Sequence, residues 1–196
     1  MDKFGTPLLA LFVSAAVLLG CGKEEKKDSF SLNLAGKKGV VPVHILWNSR
    51  GFPGKIRLYE LAAGRPVSLW ETETVSSLEK APVSGEIDGS TLLLSPGELR
   101  RFALVYKNET SEDLFFFAAP HSVTPPEFGF GFKFKCLCVN HLFKVEAGKI
   151  WYRIVEFRTM PNWASGEFEV SHTLVRVDPT QAKEWETQKS RSSSED

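Results

Sequence analysis

Short segments rich in β-branched and aromatic residues recur along the chain, alternating apolar with polar positions and separated by Gly, Pro, Asn and Ser. Period-two alternation marks strands with one buried face. It predicts strands over residues 29–34, 40–47, 55–61, 67–73, 91–95, 101–107, 114–118, 128–139, 150–157 and 167–177. Strands of this length and spacing predict an all-β domain, an immunoglobulin-like β-sandwich of two antiparallel sheets, with a barrel as the alternative. Pro96-Gly97 and Pro125-Pro126 mark connections, and residues 50–54 (Arg-Gly-Phe-Pro-Gly) form a loop between strands. Beyond Pro179 the pattern suits one or two helical turns, and residues 190–196 make a polar tail with no apolar residue to bury.

A different pattern opens the chain. Lys3 precedes an apolar run over residues 8–19, interrupted only by Ser14, shorter than the ~20 residues a spanning helix needs and of the length of a secretory signal's core. Leu18-Leu19-Gly20-Cys21 resembles the lipobox of bacterial lipoproteins, in which the cysteine is lipidated and becomes the first mature residue. An ordinary cleaved signal or a buried helix is the alternative. The expected organisation is a signal over residues 1–20, a solvated tether over 21–29 after lipidated Cys21, one domain over 30–178 and a polar tail over 179–196. Such a protein resides in the bacterial cell envelope, lipid-anchored to a membrane, with its domain facing the periplasm or the exterior.

Charge narrows the partners. Lys plus Arg (24) equals Asp plus Glu (24), so no global field draws the chain to nucleic acid. No catalytic constellation is visible either: Glu98 and Glu127 read as surface charges, and Gly129-Phe130-Gly131 lies in a β pattern without the Lys-Ser/Thr and helix of a phosphate loop. The expectation is a protein that is not an enzyme.

Of the three cysteines, lipidation of Cys21 leaves Cys136 and Cys138. In residues 128–139 the alternation puts Phe128, Phe130, Phe132, Phe134, Cys136 and Cys138 on one face and Lys133, Lys135, Leu137 and Val139 on the other. Two residues along a strand separate Cα atoms by about 6.6–6.8 Å, the upper limit for a disulfide, so a bridge between the thiols is strained. Two convergent thiolates suit a soft ion such as Cu(I), whereas structural zinc asks for four ligands. The same pair on a phenylalanine-lined face also reads as plain core. His141 completes Cys-x-Cys-x-x-His but falls in a following turn, and is a secondary candidate ligand. His44, His121 and His172 stand alone in sequence and read as surface or hydrogen-bonded strand histidines, and Met160 beside Pro161 reads as packing.

From residue 41 to 178 the chain resembles the CtaG-type copper-delivering assembly proteins of cytochrome c oxidase. The likeness runs through Val41 to Gly54, Pro96-Gly97-Glu98, Tyr106-Lys107-Asn108, Ser122-Val123-Thr124-Pro125, Phe134-Lys135-Cys136-Leu137-Cys138 and Ala147-Gly148. The resemblance implies an immunoglobulin-like domain outside the membrane, with Cys136 and Cys138 as ligands of a Cu(I) ion handed to the copper B site of the oxidase's catalytic subunit. It also implies exchange with other copper carriers, and a homodimer stays open. Leu137 and Val139 stand where the family has phenylalanines, Trp151-Tyr152 where it has Met-Pro, and Asn48 where it has a cysteine after its membrane anchor. Two rival readings remain: a scaffolding lipoprotein using Phe115 to Phe117 and Trp151-Tyr152 for contact, and a thiol-redox protein using the Cys136–Cys138 pair.

Overall fold

A computed structural model describes residues 39–137, 141–162 and 166–192, with the side chains of the last few helical residues left aside. The signal, Cys21, the tether, the expected strand over 29–34, Cys138 and the end of the tail lie outside the described residues. Twelve strands follow one another: β1 (Val41–Arg50), β2 (Arg57–Leu61), β3 (Thr72–Val75), β4 (Val83–Glu86), β5 (Thr91–Leu94), β6 (Leu99–Lys107), β7 (Leu114–Ala118), β8 (Ser122–Thr124), β9 (Phe132–Lys135), β10 (Phe143–Val145), β11 (Ile150–Thr159) and β12 (Phe168–Val177). A helix, α1 (Pro179–Ser192), closes the chain. Among the described residues no helix is long and apolar enough to cross a membrane.

The strands form two six-stranded sheets. One runs β10-β7-β12-β1-β5 with β8 also on β12, and the other β3-β11-β6-β2-β4 with β9 also on β11. Every pairing is antiparallel but one: β1 and β12 run parallel from Val43↔Phe168 to Arg50↔Val175. Alternation decides what lies between the sheets. Val41, Val43 and Ile45 of β1, Phe168, Val170 and Leu174 of β12, Phe102 and Leu104 of β6, and Trp151, Val155 and Phe157 of β11 share one core. The all-β two-sheet expectation therefore holds.

β11 is buried on both faces. Tyr152 and Ile154 on its outer side join Ala103, Val105, Val75 and Ala81 in a second, smaller cluster beneath the segment that carries β3 and β4. Trp151 and Tyr152 are thus core residues, as is Phe116, which removes the contact surface that the scaffold reading needs from them.

Three expectations are corrected. The strand over 128–139 breaks up: Pro126–Phe130 is a 3-10 turn seeded by its leading proline, β9 keeps only Phe132–Lys135, and Cys136 and Leu137 are both buried, so alternation ends there. Phe130, assigned to the apolar face, is 93% exposed at the tip of that turn. The strand over 67–73 begins late, at Thr72, because Trp70 takes a left-handed backbone conformation (φ 67°). The segment after Pro179 is a longer helix than one or two turns. Asp178 Oδ1 accepts the Thr180 N–H at 2.8 Å and caps it, while Ala182 is buried and Trp185 lies 5.9 Å from Phe117.

Candidate metal centre

On β12 the even positions face the core, and the sequence places Val170, His172 and Leu174 there in succession. His172 is 0% exposed. Its parallel partner across the ladder is Trp47, whose ring stacks on the imidazole at 4.7 Å and 28°. Cys136 follows the last residue of β9 and is 3% exposed. β9 is held to β11 by Glu156↔Lys135 and Thr159↔Phe132, so the turn into Cys136 is delivered against the core. The Cys136 Sγ lies 3.1 Å from His172 Nε2. Phe134 meets the His172 ring edge-on at 5.5 Å and 87°.

His121 arrives from the link between β7 and β8, just after Pro120. It is half-buried, with its ring 5.3 Å from His172 and leaning on Phe132 and Phe134 at 5.8 and 6.4 Å. One ligand atom each from His121, Cys136 and His172 can be chosen so that all three lie within 4.8 Å of one another. Three chain segments thus converge with a thiol and two imidazoles, sheathed in aromatic rings.

A family model described as a domain of unknown function, DUF8709, matches residues 41–177, from the first residue of β1 to the last of β12. The chain belongs to this family. No curated protein and no solved structure gives a significant match.

The donor set of this DUF8709 domain suits particular ions. A thiolate is soft and imidazoles are borderline, a combination that favours copper or zinc over calcium or magnesium. Bonds of about 2.3 Å to sulfur and 2.0–2.1 Å to nitrogen at a tetrahedral angle hold the two donors about 3.5 Å apart. The Sγ to Nε2 separation of 3.1 Å is therefore a thiol–imidazole contact that must open by about 0.4 Å to admit an ion. The Nδ1 of His172 and the Nε1 of Trp47 are buried without a hydrogen-bond partner among the described residues. A buried ring nitrogen left unpartnered is costly, so His172 is poorly explained as a hydrogen-bonded structural histidine.

A cation stands nearby. Arg153, on the inner parity of β11 with Trp151 and Val155, is buried; its guanidinium lies 5.1 Å over the Phe143 ring and donates from Nη1 to Thr72 Oγ1 at 2.8 Å. Burial lowers its pKa, and the Cys136 sulfur, when charged, opposes that effect.

The structure brings only part of the expected site together. Cys136 takes part, Cys138 lies outside the described residues, and the exposed His141 rests on Phe143 at 4.7 Å outside the cluster. His44 bonds Thr91 and Glu167 at 2.9 and 2.7 Å, as a surface histidine does, and Asn48 donates to Ser171 Oγ at 2.8 Å. His121 and His172, set aside as isolated, are the candidate ligands that sequence reasoning missed. For His172 a signal existed, an imidazole on the apolar parity of residues 167–177. For His121 there was none, because a loop has no period.

Proposed function

We propose that the domain is an immunoglobulin-like copper carrier that holds Cu(I) through Cys136, His172 and His121, tethered to a bacterial membrane by a lipid on Cys21. The observation that carries this reading is the convergence of a buried thiol and two imidazoles within 4.8 Å. The resemblance to the oxidase-assembly proteins adds the client, the copper B site of a haem-copper oxidase, and adds Cys138 as a further thiol donor. Cargo transfer is ligand exchange without bond-making on a substrate. Cys136 and His172 sit deep in the core, whereas His121 is half-buried at its rim. An incoming imidazole or thiolate from the client therefore displaces His121 first, and the buried pair releases the ion afterwards. The tether keeps that rim close to a membrane-embedded client.

The test is an anaerobic Cu(I) titration of the reduced full chain in detergent, against a competing chelator. Cys136→Ser and His172→Gln are each expected to weaken binding by about a hundredfold or more, and His121→Gln by less. Tight binding that survives both Cys136→Ser and His172→Gln overturns the proposal.

A further inference from the structure

Arg153 is a cation placed between two apolar sheet faces with no acid paired to it among the described residues. None of the ion pairs among the described residues involves it, and its Nε has no hydrogen-bond partner there. Its one hydrogen bond among the described residues is to the neutral hydroxyl of Thr72, its partner across the β3–β11 ladder. An uncompensated charge in a sandwich core is expensive to keep, so what lies beside it matters. The β9–β11 ladder ends with Lys135 opposite Glu156. Cys136 follows Lys135 directly, and Arg153 lies three residues before Glu156 on β11, on the inward parity it shares with Val155. The Cys136 sulfur, when charged, is a negative group that acts on the guanidinium.

We propose that Arg153 makes the Cys136–His172–His121 centre selective for a monovalent over a divalent metal ion. This rests on the reading of that centre as a metal site. A thiolate with Cu(I) and two neutral imidazoles carries no net charge, so it adds no repulsion to the cost of keeping Arg153 buried. The same ligands around Zn(II) carry one positive charge, which repels the guanidinium across an apolar, weakly screening gap. A further thiolate does not change the sign, because exchanging a monocation for a dication always adds one positive charge. Both affinities refer to the same metal-free protein, so whatever Arg153 does to the empty site cancels in their ratio. A purely structural arginine leaves that ratio alone.

The experiment measures Cu(I) and Zn(II) affinities of the reduced full chain by anaerobic chelator competition, for the natural sequence, Arg153→Met and Arg153→Lys. Methionine replaces a buried ion with an apolar side chain of similar reach, a change that interiors tolerate. Arg153→Met is expected to lower the Cu(I)-to-Zn(II) affinity ratio about tenfold, chiefly by tightening Zn(II). Arg153→Lys, which keeps the charge, should hold the ratio within about threefold of the natural value. An unchanged ratio in Arg153→Met, in a chain that binds both ions, overturns this inference and leaves the copper reading standing. A natural chain that binds neither ion overturns both. Should Arg153→Met lose its β-sheet circular dichroism, Thr72→Val takes its place: it frees the guanidinium from its one anchor and is expected to shift the ratio the same way by a smaller factor, and no shift overturns the inference.

Discussion

His172 occupies an inward position of β12 whose neighbours two residues away, Val170 and Leu174, are apolar and buried. Among the described residues its Nε2 meets the Cys136 thiol and its Nδ1 has no hydrogen-bond partner. A thiol is a weak donor and acceptor, and an unpartnered buried nitrogen costs about 1–3 kcal/mol. The imidazole is therefore kept at the expense of stability, as ligand residues often are. His172→Leu should leave the metal-free chain within about 1 kcal/mol of the natural stability or raise it, while abolishing Cu(I) binding. Urea denaturation followed by fluorescence measures the first and chelator competition the second. A loss of several kcal/mol in the metal-free chain would mark His172 as a structural residue.

At the scale of elements, the site depends on where β9 stops. β9 pairs with β11 alone, and its last residue, Lys135, donates to Glu156 Oε1 at 2.9 Å; Arg101 of β6 donates to Glu156 Oε2 at 3.0 Å from the other side. One carboxylate, 7% exposed, thus straps three strands together on the outer face, directly behind the turn into Cys136. The Lys135 hydrogen bond, helped by that from Arg101 and opposed by burial, holds the Glu156 carboxyl below its ordinary value. A carboxyl with a lowered folded-state pKa stabilises fully above its unfolded value of about 4.3, and that contribution disappears as the pH falls through the lower folded value. The natural chain should therefore lose stability to acid more steeply than Glu156→Gln, which lacks about 1 kcal/mol of it at neutral pH. Urea midpoints of the two chains between pH 7 and pH 3 should converge as the pH falls; parallel curves would remove the strap from the account.

At the scale of the molecule, the chain crosses between the two sheets at several connections, and two of them, β6 to β7 and β10 to β11, meet at one residue. Asn108, 0% exposed, pins both crossings. Its Nδ2 donates to Glu112 O at 2.8 Å and to Val145 O and Glu146 O at 3.1 Å, its Oδ1 accepts from Thr110, and its backbone N–H donates to Lys149 O at 2.9 Å. Asn108→Ala strands buried carbonyls at two crossings and should destabilise the fold by about 2–4 kcal/mol. Asn108→Asp should do no better, because a carboxylate presents oxygen to carbonyl oxygen. Thermal denaturation followed by circular dichroism measures both. Several residues that carry the family resemblance do this kind of work: Glu98 accepts the Ser95 N–H at 2.7 Å, and Gly148 supplies the left-handed turn (φ 68°) between β10 and β11.

Alternation by itself determined the all-β class and most of the strands, because period two is a local property of a half-buried strand. It also singled out Cys136. It did not extend to the short strands β4, β8 and β10, which carry too few residues for a period, nor to the bounds of β9, whose start is set by a proline-led turn and which pairs with a single strand among the described residues. Only the tertiary structure decided which side chains meet that cysteine. The register of β12 against β1, the link from β7 to β8 and the single pairing of β9 bring His172, His121 and Cys136 together from distant segments. A cluster of side chains built between sheets is a property of packing, and no spacing within one strand encodes it.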